Sequence, residues 1–236
     1  MSSDLESLYS LAGLRSDRAR NLSDATFRGV RFDRLLIGPG TPPDALVHVS
    51  RCKFRDCSVA GEFRVAPGVV LEDVIFDRMS SRDSFTINTQ VILKNVVVCG
   101  APKFGGLWVK PADLADSMRR SALQDWVDSA RDGIDLMLDF SGFEAEETEV
   151  IGLPLSKLKW NHDKHVPVKL GWKDLDEWKR LNFPLTSFWS LSIRRLQSFH
   201  ASEGVFALPS PSNRKYAQAM DEMSRLIESG ILLKPA

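Results

Sequence analysis

The chain has 236 residues, of which 43% are hydrophobic and 26% are charged, and this composition is typical of a folded globular protein. Lysine and arginine together number 31, as do aspartate and glutamate, so no net field favours binding to nucleic acid or to an anionic membrane. The apolar runs are far shorter than the roughly 18 residues of a membrane span, and no secretory leader pattern opens the sequence. We therefore expect a cytoplasmic protein with no membrane partner and no nucleic-acid partner.

The first predicted element is a helical cap over residues 1–23. Ser3 to Glu6 form a capping-box pattern, an apolar stripe follows, and Gly13 ends the helix. We expect this helix to cover the exposed edges of the first strands that follow it, because an uncovered strand edge invites pairing with other chains.

An internal repeat with a period of about 22 residues runs from residue 24 to residue 111. Within each repeat the apolar residues come in pairs two residues apart, which is the period of a strand. Such a chain stacks equivalent side chains one strand spacing apart, which predicts a parallel β-solenoid of about four coils, each with three short strands. The predicted ladders of its core are Phe32, Phe54, Phe76 and Val98 on one side and Phe63, Phe85 and Leu107 on another.

Charged residues also recur at the repeat interval, with alternating sign. The two predicted columns are Asp33, Arg55 and Asp77, and Arg34, Asp56 and Arg78. Opposite charges on neighbouring strands attract, whereas like charges repel, so this alternation supports the same register.

Some positions of the repeat depart from the pattern. Gly38 to Pro43 fall where the third strand of the first coil is expected, and prolines cannot donate to a strand ladder, so this coil is expected to be incomplete or looped out. The three cysteines, Cys52, Cys57 and Cys99, have no zinc spacing and cannot all pair. We interpret the first two as reduced core residues and the third as the most exposed thiol.

Residues 112–236 are predicted to form an α+β region that packs on the last coil. Apolar residues at a spacing of four indicate a helix that closes at Gly133, and alternating patterns then indicate strands. The further predicted segments are strands at 134–140, 149–153 and 166–170, a short helix around 175–181, a buried helix over 186–199 and a last helix from 212 or 213 to Gly230. The fold class is therefore a β-rich α+β protein with helical caps.

The densest group of potential metal ligands is His162, Asp163 and His165. A polar turn between Trp160 and Val166 explains these residues better than a metal site does, because no further ligand lies nearby in the sequence. No phosphate loop, dinucleotide fingerprint, nucleophile elbow or zincin motif occurs in the chain. We expect no cofactor, no resident metal and no catalytic residue.

An acidic stretch is the best sequence candidate for a partner-binding surface. Its members are Asp139, Glu144, Glu146, Glu147 and Glu149. A solvated loop is one interpretation, and a patch that attracts a basic protein is the other. Arg194 and Arg195 are further candidates, because arginine is enriched at protein interfaces.

Three segments carry a family resemblance: Phe27-Arg-Gly-Val30-Arg-Phe32-Asp33, Val49-Ser-Arg-Cys52-Lys-Phe54-Arg55 and Leu71-Glu-Asp-Val74-Ile-Phe76-Asp77. The N-terminal half that contains them resembles bacterial β-solenoid proteins of the pentapeptide-repeat-like, toxin-immunity type. This resemblance implies a non-catalytic immunity protein that neutralises a cognate toxin domain in a tight complex. A self-associating scaffold, for which a homodimer is possible, and a metal-dependent hydrolase centred on His162, Asp163 and His165 are the alternatives.

Overall fold

A computed structural model describes residues 20–38, 47–112 and 117–233. Most of the predicted N-terminal helical cap, residues 1–19, lies outside this part of the chain. Its last four residues do not belong to a helix, because Arg20–Ser23 form the first strand. The N-terminal sheets therefore begin four residues earlier than the repeat pattern predicts.

Fifteen short strands occupy the described residues up to 110. The first repeat supplies β1 (Arg20–Ser23), β2 (Thr26–Arg28), β3 (Arg31–Phe32) and β4 (Leu35–Ile37). The second supplies β5 (Val47–Ser50), β6 (Lys53–Arg55), β7 (Ser58–Val59) and β8 (Phe63–Val65). The third supplies β9 (Val69–Glu72), β10 (Ile75–Asp77), β11 (Ser80–Ser81) and β12 (Phe85–Asn88), and the fourth supplies β13 (Ile92–Lys94), β14 (Val96–Cys99) and β15 (Leu107–Lys110). The first three repeats thus contain four strands each, one more than the sequence predicts.

The C-terminal region alternates helices and strands. Its elements are α1 (Ser117–Arg131), β16 (Leu138–Asp139), β17 (Thr148–Ile151), β18 (Leu158–Lys159), β19 (His165–Lys169), α2 (Asp176–Leu181), α3 (Phe188–Ser198), β20 (Glu203–Ala207) and α4 (Tyr216–Glu228). Two 3-10 helices, Leu155–Lys157 and Leu170–Asp174, complete the order. No helix in the described ranges is long and apolar enough to cross a membrane.

The strands form three parallel sheets and one mixed sheet. The parallel sheets have the orders β1-β5-β9-β13, β2-β6-β10-β14-β16-β18 and β3-β7-β11, and the mixed sheet has the order β4-β8-β12-β15-β17-β20-β19. Each repeat therefore contributes one strand to each sheet in turn, and the fourth repeat contributes none to the third sheet among the described residues. The protein is β-rich with few helices, as predicted.

The predicted repeat interval is confirmed from the second repeat onward. Val47 lies opposite Val69, and Phe85 lies opposite Leu107. Phe76 lies between Phe54 and Val98. The apolar columns predicted for these repeats are therefore real ladders of neighbouring strands.

The register predicted for the first repeat is wrong. Phe27, not Phe32, lies opposite Phe54, and Phe32 lies opposite Val59. The cause is the longer connection between β4 and β5, which spans residues 38–46, whereas only residues 66–68 connect β8 to β9. This difference shifts the pairing of the first repeat along the sequence by several residues.

The same shift changes two other predictions. The first repeat was expected to lack a strand at Gly38 to Pro43. The residues just before this segment form that strand instead, because Leu35–Ile37 pair with Phe63–Val65. Asp33 is not in the column of Arg55, because Arg28 is the neighbour of Arg55. Arg34 forms an ion pair with Glu62 rather than with the predicted Asp56.

The N-terminal core consists of stacked side chains. The Phe54 ring stacks on Phe27 and Phe76 at centroid distances of 4.9 and 5.1 Å, and Phe63 stacks on Phe85 at 3.8 Å. Each of these rings is almost completely buried. Complete burial of one such side chain stabilises a fold by roughly 1.5–3 kcal/mol, so each ring of these ladders contributes to stability on that scale.

The corners between sheets are built from residues with left-handed backbone conformation. One corner column is Asp24, Arg51, Asp73 and Asn95, and the next is Gly29, Asp56, Arg78 and Gly100. Adjacent members of each column also form ion pairs. Arg51 Nε lies 2.6 Å from Asp24 Oδ1, and Arg78 Nε lies 2.6 Å from Asp56 Oδ1. The hydrogen bond from Arg78 lowers the pKa of the Asp56 carboxyl. The predicted neighbourhood of Asp56 and Arg78 is thus confirmed.

The sheets continue past residue 111 into the C-terminal region. β16 pairs with β14 and β17 pairs with β15, both in parallel. The sequence interval between these partners is nearly twice the repeat length, because α1 is inserted between β15 and β16. α1 contacts β13, which is the last strand of the sheet β1-β5-β9-β13.

A second hydrophobic core joins the helices to the mixed sheet. Trp189 is its largest fully buried side chain, and its indole N–H donates to the carbonyl of Ala219 at 3.1 Å. β19 is the edge strand of the mixed sheet and contains Pro167, which cannot donate to another strand. The missing N–H of Pro167 makes this edge a poorer template for a further strand.

Candidate functional site

A groove of about 340 Å³ opens between β15, β17 and α3. We call it the acidic groove. The side chains that line it include Trp108, Glu146, Glu147, Thr148, Glu149, Phe188, Leu191, Ser192, Arg195, Phe206, Pro209, Asn213 and Lys215. It brings together three of the acidic residues and one of the arginines that the sequence singles out.

The register of the mixed sheet positions the floor of the acidic groove. Trp108 lies opposite Glu149, and Glu149 lies opposite Phe206 on the next strand. These three side chains are on the same face of the sheet, because paired residues of neighbouring strands point the same way. The neighbouring residues Leu107 and Val109 are fully buried, so the face that carries Trp108 is the outer one.

Glu149 and Arg195 link this sheet to α3. The Arg195 Nη2 donates to Glu149 Oε2 at 2.6 Å, and both side chains are partly exposed. The guanidinium also lies 5.0 Å from the centroid of the Phe199 ring. This ion pair holds α3 against β17 and neutralises the innermost carboxylate of the groove.

A second cation lies beside the same aromatic residues. Lys110 Nζ is 4.5 Å from the Trp108 ring centroid and 6.0 Å from that of Phe199. Burial and the neighbouring Arg195 lower the pKa of Lys110. Trp108 and Phe199 therefore already contact cations within this chain, which is the geometry of a cation–π site.

Glu146 and Glu147 are the carboxylates that remain open to a partner. Both are exposed, and neither forms an ion pair with any described residue. Lys215 lines the groove as well, but its Nζ donates to the backbone carbonyl of Thr186 at 3.2 Å. Exposed carboxylates beside the partly exposed Phe188 and Leu191 combine charge with apolar surface, as the rims and centres of protein interfaces do.

The other residues of the predicted acidic stretch do not line the groove. Asp139 belongs to β16 in a different sheet, where it pairs with Lys159 at 3.1 Å and accepts the Ser141 hydroxyl at 2.6 Å. Glu144 is exposed on the same loop as Glu146 but is not part of the lining. Arg194 is also outside the lining, and its Nη2 donates to the carbonyl of Leu185 at 2.5 Å.

The three predicted metal candidates point to different environments. His165 is 1% exposed, whereas His162 and Asp163 are exposed. The His162 ring lies against Trp160 at 5.1 Å, and the His165 ring meets Phe140 at 5.2 Å. Across the described ranges, no group of three or more His, Cys, Asp or Glu residues could hold a metal ion.

His165 is the buried titratable group with the clearest effect on stability. Burial lowers its pKa from 6.5 to about 4, and its Nε2 has no hydrogen-bond partner, while Nδ1 lies 3.3 Å from the carbonyl of Asn161. The folded state thus favours the neutral ring, whereas the unfolded chain takes up the proton more readily.

We therefore expect the contribution of His165 to the free energy of unfolding to stay constant above pH 6.5. As the pH drops from 6.5 to 4, this contribution should fall by about 3 kcal/mol. Urea denaturation of the wild type and of His165→Phe between pH 4 and 8 measures this contribution. His165→Phe should lack this loss of stability at low pH. His162→Phe, which replaces an exposed ring, should keep it. An unchanged pH dependence in His165→Phe contradicts the assignment.

Sequence reasoning missed Trp108, Phe188 and Leu191 as groove residues. Trp108 alternates with the buried Leu107 and Val109, and this alternation could have identified it as an outward-facing aromatic. Phe188 and Leu191 belong to a helix that was predicted to be mostly buried. No local pattern indicates that this helix leaves them beside β15.

Comparisons with known proteins place no further constraint on this site. No protein-family model, no curated protein and no solved structure matches the chain.

Proposed function

We propose that this chain is a non-catalytic protein-binding module that neutralises a basic partner, most simply as the immunity protein of a cognate bacterial toxin in the cytoplasm. In this proposal the N-terminal half is a parallel β-solenoid. Its first coil is longer than the predicted repeat, and the later coils have the predicted length. Its rigid ladders hold β15 and β17, and through them the acidic groove, in a fixed geometry. A rigid surface loses little conformational entropy when a partner binds.

One observation carries the proposal: Glu146 and Glu147 are exposed and without ion pairs to described residues, beside the apolar side chains of Trp108, Phe188 and Leu191. Buried aromatic anchors supply affinity at an interface, whereas complementary charge raises the association rate and excludes wrong partners. A basic segment of a toxin domain would satisfy both requirements.

The first experiment is capture of the tagged protein from its source cells, followed by mass spectrometry and by light scattering of the purified complex. We expect one stoichiometric protein partner with a basic surface, in a 1:1 complex, whose toxicity is relieved by this chain. A pure homo-oligomer without a partner would instead favour the self-associating scaffold.

Reversal of the open carboxylates should weaken this complex. We expect Glu146→Lys/Glu147→Lys to raise the Kd for the captured partner by at least about 100-fold, because it removes two attractive charges and introduces two repulsive ones. Isothermal titration calorimetry gives the Kd. The matched control is Glu177→Lys/Asp221→Lys, which makes the same change of net charge at exposed positions on α2 and α4. Equal affinity of the two double variants would show that the partner binds elsewhere.

A further inference from the structure

Two neighbouring loops form a surface beside the acidic groove. The first covers residues 100–106 and joins β14 to β15, and we call it the central loop. The second covers residues 140–147 and joins β16 to β17, and we call it the acidic loop. Backbone hydrogen bonds link the two loops near both ends, from the N–H of Glu144 to the carbonyl of Gly100 at 3.2 Å and from the N–H of Leu107 to the carbonyl of Glu147 at 2.9 Å. The loops therefore lie side by side.

A pocket of about 520 Å³ lies on the other side of the central loop. We call it the basic pocket. Arg31, Ser58 and Ser80 lie opposite one another on β3, β7 and β11 and line it. The backbone N–H of Lys103 donates to Ser80 Oγ at 3.0 Å, which attaches the central loop to β11. The central loop is thus flanked by the basic pocket and by the acidic loop.

The basic pocket has cations that are available to a partner. Arg31 and Lys103 line it and are exposed, and neither forms an ion pair with a residue in the described ranges. Arg78 lines it as well, but its Nε lies 2.6 Å from Asp56 Oδ1. Arg31 and Lys103 therefore supply the unpaired positive charge of the pocket.

The acidic loop has the opposite charge. Glu144, Glu146 and Glu147 are exposed, and none of them forms an ion pair within the described part of the chain. Phe104, on the central loop between the two charged regions, is 48% exposed. Successive chains in a β-sheet stack lie only about 4.8 Å apart, so the two charged regions are close together. Opposite charges and an apolar ring thus share one face.

A surface of this kind is complementary to itself. A two-fold axis through the central loop places the acidic loop of one copy on the basic pocket of the other, and the same contact then occurs twice. A partner of one sign that covered both regions would be repelled by one of them. The chain has a formal net charge of zero, so no long-range repulsion keeps two copies apart.

We propose that this surface joins two copies of the chain in a symmetric dimer. Arg31 and Lys103 of each copy lie against the acidic loop of the other, and the two Phe104 rings lie near the axis. The dimer covers Glu146, so a second copy and the basic partner compete for this loop. This competition rests on the proposed function, whereas the dimer does not.

Sedimentation velocity of the purified protein alone tests the dimer. We expect a dimer at about 100 μM protein and low ionic strength. It should dissociate in about 0.5 M salt, because salt at that concentration screens exposed charges beyond a few ångströms. A monomer at low ionic strength would overturn the proposal.

Charge reversal locates the surface. The acidic variant is Arg31→Glu/Lys103→Glu, and the basic variant is Glu144→Lys/Glu146→Lys. Each variant alone brings like charges together at both contacts, so its dimer Kd should rise by at least about tenfold. An equimolar mixture of the two variants has opposite charges at both contacts again. It should therefore form a heterodimer with a Kd within about threefold of that of the wild type. A mixture that stays monomeric would overturn the proposal.

The matched control for net charge is Glu177→Lys/Asp221→Lys, which makes the same change as the basic variant at exposed positions on α2 and α4. This control should dimerise like the wild type. It should bind the acidic variant at least about tenfold more weakly than the basic variant does. Equal binding by both would show that net charge drives the association, and would contradict the surface.

The acidic variant also separates the dimer from the proposed function. It keeps Glu146 and Glu147 and should be a monomer, so it should bind the captured partner at least as tightly as the wild type does. A wild-type monomer that binds the partner at these residues would contradict the dimer alone. A dimer that forms as expected, with a partner that binds elsewhere, would contradict the proposed function alone.

Discussion

Phe54→Ala should lower the free energy of unfolding by about 3–5 kcal/mol. The Phe54 ring is fully buried between Phe27 and Phe76, at centroid distances of 4.9 and 5.1 Å. Removal of the ring leaves a cavity in a ladder whose neighbours are fixed by strand pairing on both sides, so the structure cannot collapse to fill it. Urea denaturation followed by circular dichroism measures the loss. Phe104→Ala is the control, since that ring is 48% exposed and its loss should change stability by less than about 0.5 kcal/mol.

The contact between Phe27 and Phe54 can be tested separately from the total destabilisation caused by Phe54→Ala. A double-mutant cycle with the milder Phe27→Leu and Phe54→Leu should give a coupling of about 0.5–1.5 kcal/mol, as expected for stacked rings. The equivalent cycle between Phe32 and Phe54 should give less, because Phe32 pairs with Val59. The opposite order of the two couplings would show that the first repeat keeps the same interval as the others.

Gly106→Ala should destabilise the protein by about 3 kcal/mol, an effect of similar size with a different cause. An added Cβ at Gly106 would lie 2.0 Å from the carbonyl oxygen of Glu147 and 2.7 Å from the Glu147 Cβ. The strand cannot move away, because the Gly106 carbonyl accepts the Phe85 N–H and the Glu147 carbonyl accepts the Leu107 N–H. Relief of the clash would require separation of β15 from the chain that leads into β17.

Thermal denaturation compares this variant with a glycine in open space. Gly171→Ala is the matched control, since no atom lies within 4 Å of its added Cβ and its φ is not positive. We expect Gly171→Ala to change stability by less than about 0.5 kcal/mol. Because Glu147 belongs to the acidic groove, Gly106→Ala should also weaken partner binding. A variant as stable as the control would show that the packing of β15 against residue 147 is loose.

The sequence predicts the fold well wherever strand spacing is constant. Phe54, Phe76 and Val98 are neighbours as the interval requires, and so are Phe85 and Leu107. The same analysis does not predict the pairing of Phe27 with Phe54, because the spacing of the apolar residues does not reveal that the connection over 38–46 is longer than the others. A repeat analysis assumes equal connections, and one unequal connection displaces every pairing before it.

The candidate site is less predictable than the fold, for a physical reason. Glu149 and Arg195 are 46 residues apart in the chain and meet only because α3 packs on β17. The same holds for Arg131, whose guanidinium reaches the backbone of Thr89. Contacts of this kind depend on the positions of whole helices, which single-sequence patterns do not specify. His162 is exposed in the polar turn, whereas His165 is the first residue of β19 and is buried, and the local sequence does not specify this difference.

Hydrogen–deuterium exchange of this protein, free and bound to its captured partner, tests the central claim most directly. If the acidic groove is the binding surface, protection should increase in the loop that carries Glu146 and Glu147, in β15 around Trp108 and in the first turns of α3. Protection confined to the N-terminal sheets, with no change at the groove, would contradict the proposed site.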